Sequence, residues 1–226
     1  MLLLFDIDGT LLLKASREHA EALHAALKRI HHIELPDGKV EAAGRTDLAI
    51  ARSILTLAGV SAERIDARAD DVRAMVCAEY SRRCPHDLSD RLSPGIVAAL
   101  DALAARDDVC LSLVTGNLEP VARLKLQRAG IAHFFGDGQG AFGSDDEDRS
   151  ILPEIARCRA GRRGRPYPVE ATVIIGDTPR DIACARADGV RVVGIATGPF
   201  RPADLKGADA VVTHARELPA AIAGLF

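Results

Sequence analysis

The chain has 226 residues, which is enough for one large domain or for a core domain with a smaller second one. Its formal net charge is −3, so no excess of positive charge is available to attract nucleic acid. No stretch of the sequence is both long enough and apolar enough to cross a bilayer. We therefore expect a soluble globular protein with neither a nucleic-acid partner nor a membrane partner.

The first residues predict a buried strand rather than a secretion signal. Met1–Phe5 is apolar but has no basic flank, and Asp6 and Asp8 interrupt the apolar run at once. The five cysteines include no C-x-x-C pair, which argues against a disulfide framework or a zinc site. These observations predict a cytoplasmic protein.

Apolar runs alternate with helical patterns along most of the chain. The runs predict strands buried on both faces, at Leu2–Ile7, Val109–Val114, Ala171–Ile175, Val190–Ala196 and Ala210–Val212. The helical patterns between them cover Ile96–Ala105, Pro120–Gly130, Ile151–Ala160 and Pro179–Ala187. Strands that alternate with helices predict an α/β fold with a doubly wound parallel sheet.

The segment after the first strand breaks this alternation, because it contains helical patterns and no convincing strand. Three helices are predicted, one around Leu23–Ile30, one over Leu48–Ala58 and one from Ala62 to about Cys84, with Ser61 as the N-cap of the third. We interpret residues 14–91 as an all-helical domain inserted into a core made of residues 1–13 and 92–226.

Small and acidic residues follow three of the predicted strands at their carboxyl ends. They are Asp6, Asp8, Gly9 and Thr10 after the first strand, Thr115, Gly116 and Asn117 after the second, and Gly176, Asp177 and Asp181 after the third. In an open parallel sheet these ends form the ligand crevice. Each group alone is also typical of a turn or a helix cap, so the prediction of a site depends on all three together.

This combination of residues suits phosphoryl transfer. Asp6 can attack phosphorus and form an acyl phosphate, while Asp8 can protonate the leaving alcohol and later deprotonate the attacking water. Asp177 and Asp6 offer hard oxygen ligands for Mg²⁺.

The residues after the second strand can hold the phosphate itself. The hydroxyl of Thr115 and the backbone N–H groups of Gly116 and Asn117 are donors near a predicted helix start. Hydrogen-bond donors are needed there because charge develops on the phosphoryl oxygens during transfer.

At these residues the sequence resembles the haloacid dehalogenase superfamily, in its branch with a helical cap after the first strand. The matching motifs are Asp6–Leu11, Leu113–Asn117 and Gly176–Asp181, and Ser93–Gly95 resembles the return from cap to core. The resemblance implies a Rossmann-like core and a mobile cap. It also implies Mg²⁺ held by Asp6, Asp177 and the backbone carbonyl of Asp8, with Asp181 supporting the metal site.

The sequence departs from the family where most relatives carry a lysine between the second and fourth motifs. This region contains no lysine, and Lys125 lies too early, on the helix just after Asn117. Arg149 has suitable spacing, and we assign it the role of neutralising the phosphate, because arginine keeps its charge and can bind two oxygens. The acidic run Asp145–Asp148 would hold it by charge pairing. The alternative is an exposed arginine on a charged helix start.

Within the superfamily, the second aspartate of the first motif distinguishes phosphate-ester chemistry from dehalogenation, so Asp8 favours a phosphate ester. The cap would then recognise the rest of the substrate. In the loop Gly44–Asp47, Arg45 could bind a second anionic group on the substrate. The alternative is that Thr46 or Asp47 caps the next helix while Arg45 stays solvated.

We therefore predict a Mg²⁺-dependent phosphatase that resembles phosphoglycolate phosphatases and acts on a small phosphorylated metabolite. The nearest alternative is a sugar phosphomutase that resembles β-phosphoglucomutase, and an alternative of another class is an inactive binding module. The sequence leaves both a monomer and a homodimer open.

Overall fold

A parallel sheet lies at the centre of the molecule in the computed structural model, which describes residues 1–38, 40–162 and 164–226. Within these residues its six strands are β1 (Leu2–Phe5), β2 (Cys110–Thr115), β3 (Ala141–Phe142), β4 (Thr172–Gly176), β5 (Arg191–Ile195) and β6 (Ala210–Val212). The strand order is β3-β2-β1-β4-β5-β6, and every neighbouring pair is parallel. The order reverses beside β1, and ligands of such sheets bind at this point.

Helices cover both faces of the sheet and form the cap. They are α1 (Arg17–His31), α2 (Asp47–Leu57), α3 (Ala62–Ala67), α4 (Ala69–Arg83), α5 (Ile96–Ala104), α6 (Glu119–Arg128), α7 (Leu152–Ala160), α8 (Pro179–Asp188) and α9 (Leu218–Ala223). Helices α1 to α4 come between β1 and the rest of the core, which confirms the predicted α/β fold with an inserted helical cap. None of the described helices is long and apolar enough to span a membrane.

The alternation of side chains along β1 explains why its sequence is apolar throughout. Leu3 and Phe5 belong to one apolar cluster, whereas Leu2 and Leu4 belong to a second cluster on the opposite face. All four side chains are fully buried. Successive strand residues point to opposite faces, so a strand covered by helices on both sides needs apolar residues at every position.

The two connections between core and cap run side by side. The Leu13 N–H donates to the Arg91 carbonyl at 2.7 Å, and the Ser93 N–H donates to the Leu11 carbonyl at 2.9 Å. Both bonds lie within two residues of the predicted boundaries between core and cap. The division at residues 13/14 and 91/92 stays a prediction.

The structure differs from the sequence prediction in three elements. The helix predicted from Ala62 to about Cys84 is broken at Arg68, whose φ of −116° and ψ of 10° lie outside the helical region. No glycine or proline marks this break. Strand β3 has only two residues and pairs with Val114 and Thr115, and the short α9 closes the chain. Both are too short to give a clear periodic pattern.

Candidate active site

Two neighbouring strand ends, those of β1 and β4, bring an acidic cluster together. Asp6 follows β1 and Asp177 follows β4, while Asp181 lies in the first turn of α8. One carboxylate oxygen from each lies within 4.8 Å of the others, and all three residues are buried. Thr178 fixes Asp181 through a capping box, in which the Thr178 N–H and hydroxyl donate to Asp181 Oδ2 at 2.9 and 2.8 Å.

The electrostatics of this cluster fit a divalent cation. Burial, together with the neighbouring carboxylates of Asp6 and Asp181, raises the pKa of Asp177 to about 8. Burial also raises the pKa of Asp6 to about 6, although Arg149 opposes this shift. Carboxylates that repel one another in a buried space are stabilised by a bound metal ion, and their hard oxygens match Mg²⁺.

Two glycines leave the space that the Asp177 carboxylate occupies. Gly9 turns the chain with a φ of +90°, and a Cβ at Gly9 or Gly198 would collide with the Asp177 carboxylate. The Thr197 hydroxyl donates to the Gly9 carbonyl at 2.7 Å and so joins the loop after β5 to the loop after β1. These contacts explain the need for small residues around the acidic cluster.

Arg149 points into the acidic cluster instead of pairing with its own acidic run. It is 9% exposed, and its Nη2 lies 3.2 Å from Asp6 Oδ2 and 2.5 Å from Asp181 Oδ1. The prediction that residues 145–148 hold Arg149 was wrong. Asp145 pairs with Arg159, and the Asp148 side chain caps the turn that begins at Arg149. Asp6 and Asp181 face Arg149 because the carboxyl end of the sheet places them there.

At the end of β2, Asn117 faces both Asp8 and the crevice. The Asn117 side-chain amide donates to Asp8 Oδ2 at 2.9 Å and to Thr115 Oγ1 at 3.0 Å. Gly116 lies directly under the Arg45 carbonyl, so a Cβ there would clash with the cap backbone. Phosphate binding by Thr115, Gly116 and Asn117 stays a prediction.

A lysine that the sequence interpretation set aside contacts the predicted acid/base residue. Lys125 is fully buried on α6, and its Nζ donates to both oxygens of Asp8 at 2.8 and 2.6 Å and to Asn117 Oδ1 at 2.7 Å. The available signal was its position on the buried stripe of α6, four residues after Val121. A lysine at such a position needs a partner in the interior.

Lys125 changes the ionisation of Asp8. Burial alone would raise the pKa of the Asp8 carboxyl, but the Lys125 ammonium, His19 and the bond from Asn117 outweigh it and hold that pKa below its ordinary value. Asp8 is therefore ionised at neutral pH in this arrangement, the form that can accept a proton.

Two cap residues, His19 and Asp47, join the group formed by Asp8, Lys125 and Asn117, and neither was predicted from the sequence to do so. His19 Nδ1 lies 3.3 Å from Lys125 Nζ, and His19 Nε2 lies 3.0 Å from Asp47 Oδ2. Asp47 also contacts the core, since its N–H donates to the Gly116 carbonyl and its Oδ2 accepts from the Leu118 N–H, both at 2.8 Å. His19 gives no local sequence signal, because its partners are distant in the chain.

Arg45 lies beside the crevice but is bonded within the cap. Its Nη2 donates to the Ala49 carbonyl and to Ser53 Oγ, both at 2.8 Å. Thr46 caps α2 by accepting a bond from the Ala49 N–H at 3.2 Å. This cap matches one part of the alternative interpretation, whereas Arg45 is half-buried and bonded within the cap rather than solvated. Substrate binding by Arg45 stays a prediction.

A cavity of about 860 Å³ lies between the core and the cap. Its core floor carries the polar residues Asp6, Asp8, Asn117, Arg149 and Asp177. Its cap wall carries the apolar residues Leu23, Leu35, Val40, Ile50 and Ile54. Such a cavity is in the usual size range for a small-molecule site.

Comparisons with known proteins identify the family of the chain. Residues 3–186 match the family model of haloacid dehalogenase-like hydrolases. A phosphoglycolate phosphatase (plasmid) of Cupriavidus necator is 30% identical over 96% of this chain and 90% of that protein. A phosphoglycolate phosphatase of Rhodospirillum rubrum is 31% identical over 86% of this chain and 79% of that protein.

The fold is shared with solved structures at lower identity. The crystal structure of a β-phosphoglucomutase from Clostridium difficile superposes with a TM-score of 0.68, covering 96% of this chain and 92% of that chain at 15% identity. At a sequence identity this low, the similarity supports a shared fold and no shared function.

Proposed function

The chain belongs to the haloacid dehalogenase-like hydrolase family, and we propose that this phosphatase hydrolyses a small phosphorylated metabolite through an aspartyl phosphate on Asp6. The observation that carries the proposal is the juxtaposition of a buried carboxylate cluster with Arg149 at the floor of a cavity. Cations and hydrogen-bond donors placed around a nucleophile are what phosphoryl transfer needs.

In the first step, an Asp6 oxygen forms a bond to phosphorus while the bond from phosphorus to the leaving oxygen breaks. Asp8, which is ionised before the substrate binds, takes up a proton as the substrate enters and then gives it to the leaving oxygen, and the alcohol departs. In the second step, Asp8 takes a proton from water as the water oxygen attacks phosphorus. Inorganic phosphate leaves, and the Asp6 carboxylate is regenerated.

Asp6, Asp177 and the backbone carbonyl of Asp8 would hold Mg²⁺ in this proposal. The ion would supply positive charge against the oxygens of the transferring group. Asp181 would support the site through its bonds to Thr178 and Arg149, since both of its oxygens already have partners. Arg149 would take the phosphate-facing role of the family's usual lysine, because its Nε has no hydrogen-bond partner among the described residues.

The experiment follows release of phosphate from a panel of phosphorylated metabolites, including phosphoglycolate, with Mg²⁺ present. Asp6→Asn is the test variant, and Asp101→Asn, an exposed aspartate on α5, is the matched control. We expect Asp6→Asn to abolish turnover and the phosphorylated intermediate detected by mass spectrometry, while the control keeps both. Equal rates for wild type and Asp6→Asn would overturn the mechanism.

The same panel separates the phosphatase from its alternatives. An enzyme that discharges the intermediate to water is a phosphatase, whereas discharge that requires a sugar diphosphate would indicate a mutase. Binding of phosphorylated ligands without any intermediate or release of phosphate would indicate a binding module.

A further inference from the structure

Lys125 is an unusual residue for the interior of a core helix. Its side chain has no exposed surface, although the apolar neighbours Val121, Ala122 and Leu126 share the same buried stripe of α6. Burying an ammonium group costs several kcal/mol unless it is paired and hydrogen-bonded, and an apolar residue would fill the position without that cost. The fold alone therefore gives no reason for a lysine at this position.

The hydrogen bonds of Lys125 fix the orientation of the Asp8 carboxylate. Its ammonium group contacts both Asp8 oxygens, and Asn117 joins the two residues by accepting from Lys125 and donating to Asp8. An ammonium has three donors and no acceptor, so Asn117 Oδ1 must face it. Asp8 is thereby held by two residues of the core, Lys125 and Asn117.

The remaining hydrogen-bonding contact of Lys125 leads into the cap. His19 on α1 presents Nδ1 to the ammonium, and its Nε2 faces Asp47 at the start of α2. With Nδ1 accepting, Nε2 carries the proton and donates to the Asp47 carboxylate. Asp47 is itself docked on the core through Gly116 and Leu118.

We propose that Lys125 is a positioning residue that aims Asp8 at the leaving oxygen of the substrate, and that His19 and Asp47 complete this arrangement when the cap is docked. The inference rests on the proposed function of Asp6 and Asp8. Lys125 does not line the cavity and acts through Asp8. Its loss should therefore affect protonation of the leaving group more than attack by Asp6.

The test is the single-turnover rate of Asp6 phosphorylation with two kinds of ester. The alcohol of an alkyl phosphate needs a proton as it leaves, whereas p-nitrophenolate leaves without one. For Lys125→Met we expect a roughly 100-fold slower reaction with the alkyl phosphate and a less than about 3-fold change with p-nitrophenyl phosphate, because acid catalysis contributes about this much. Lys206→Met, which removes an exposed lysine, is the matched control.

A double-mutant cycle gives the second readout. Asp8→Asn should show the same dependence on the leaving group, and Lys125→Met should cause no further loss when added to it, because both act through one group. His19→Phe should show a weaker form of the pattern, since it removes the contact between the cap and Lys125.

Equal losses for both esters in Lys125→Met, or additive losses in the double variant, would overturn the positioning role. The proposed function of Asp6 would still stand after either outcome, provided that the wild-type protein forms the phosphorylated intermediate. Absence of the intermediate in wild type would instead overturn the proposed function. Unfolding temperatures of all variants, measured in parallel, show whether a loss of rate in Lys125→Met comes from misfolding. If it does, the comparison of the two esters in His19→Phe decides whether the positioning role holds.

Discussion

The two sides of the cavity are built on opposite principles. On the core floor every charged side chain has a specific partner, as when Arg149 lies between Asp6 and Asp181 and Lys125 faces Asp8. The cap wall carries an apolar patch, and its members Ile50 and Ile54 come from one face of α2. Fixed dipoles and charges stabilise a reaction, while apolar surface selects by shape. The floor should therefore control rate and the wall should control which ester binds.

The largest expected effect comes from Asp177→Asn on the floor. We expect turnover to fall about 1,000-fold, because the substitution removes a carboxylate from the proposed metal site. Without Mg²⁺ at pH 8, the unfolding temperature of Asp177→Asn should be at least that of wild type and up to a few degrees higher. The reason is that the substitution removes one of the carboxylates that repel one another. Calorimetry and phosphate release measure the two effects. A variant that is both active and less stable would contradict the proposed role of Asp177.

Arg149 gives the next largest effect. Arg149→Ala should lower kcat about 100-fold or more, and Arg149→Lys should recover part of the loss, because a positive charge returns to the floor. Arg159→Ala is the control, since Arg159 lies on α7 and pairs with Asp145. Unchanged kcat in Arg149→Ala would mean that another residue faces the phosphate.

The raised pKa values of Asp6 and Asp177 predict how metal binding depends on pH. Both carboxyls hold protons more tightly in the folded protein than in the unfolded chain, so the metal-free protein should lose stability as the pH rises from about 4 to about 8. Mg²⁺ competes with these protons, so its affinity should rise by up to about tenfold per pH unit between pH 6 and 8.

Isothermal titration in two buffers with different ionisation enthalpies counts the protons released on Mg²⁺ binding. We expect release at pH 7 in wild type and less release in Asp177→Asn. An affinity for Mg²⁺ that stays constant over this pH range would show that the carboxyls are already ionised without the ion.

The cap wall should give the smallest effect on rate. Ile50→Asp places a charge beside the substrate, and we expect KM to rise several-fold while kcat changes little, because one apolar contact contributes about 1–3 kcal/mol to discrimination. Leu57→Asp is a matched control, since Leu57 lies on the same helix and is 57% exposed. If kcat fell as far in Ile50→Asp as in Arg149→Ala, the division between floor and wall would be wrong.

The sequence predicted the acidic cluster better than it predicted the surroundings of Asp8. Asp6 and Asp177 directly follow apolar strands, and parallel strands must end at one edge, so local patterns were enough to bring them together. Arg149 was found by spacing, but its partners were not the acidic residues that precede it in the chain. Opposite charges that are close in the sequence need not form an ion pair, because a turn can direct one of the side chains elsewhere.

The break between α3 and α4 and the role of Lys125 were not predictable in the same way. The residues around Arg68 include no glycine or proline, and their propensities allow a continuous helix. Lys125 stood out only as a lysine on an apolar stripe, which indicates that it has a buried partner without saying which one.

The sequence alone determined the position of three aspartates at the ends of apolar strands, namely Asp6, Asp8 and Asp177. Strand burial and the edge at which parallel strands end both follow from local residue patterns. The partners of Asp8 were decided by the tertiary structure. Lys125 is separated from Asp8 by 117 residues, and His19 and Asp47 reach the same cluster from the cap. Contacts between distant segments depend on how sheet and cap pack together, and no local periodicity records that packing.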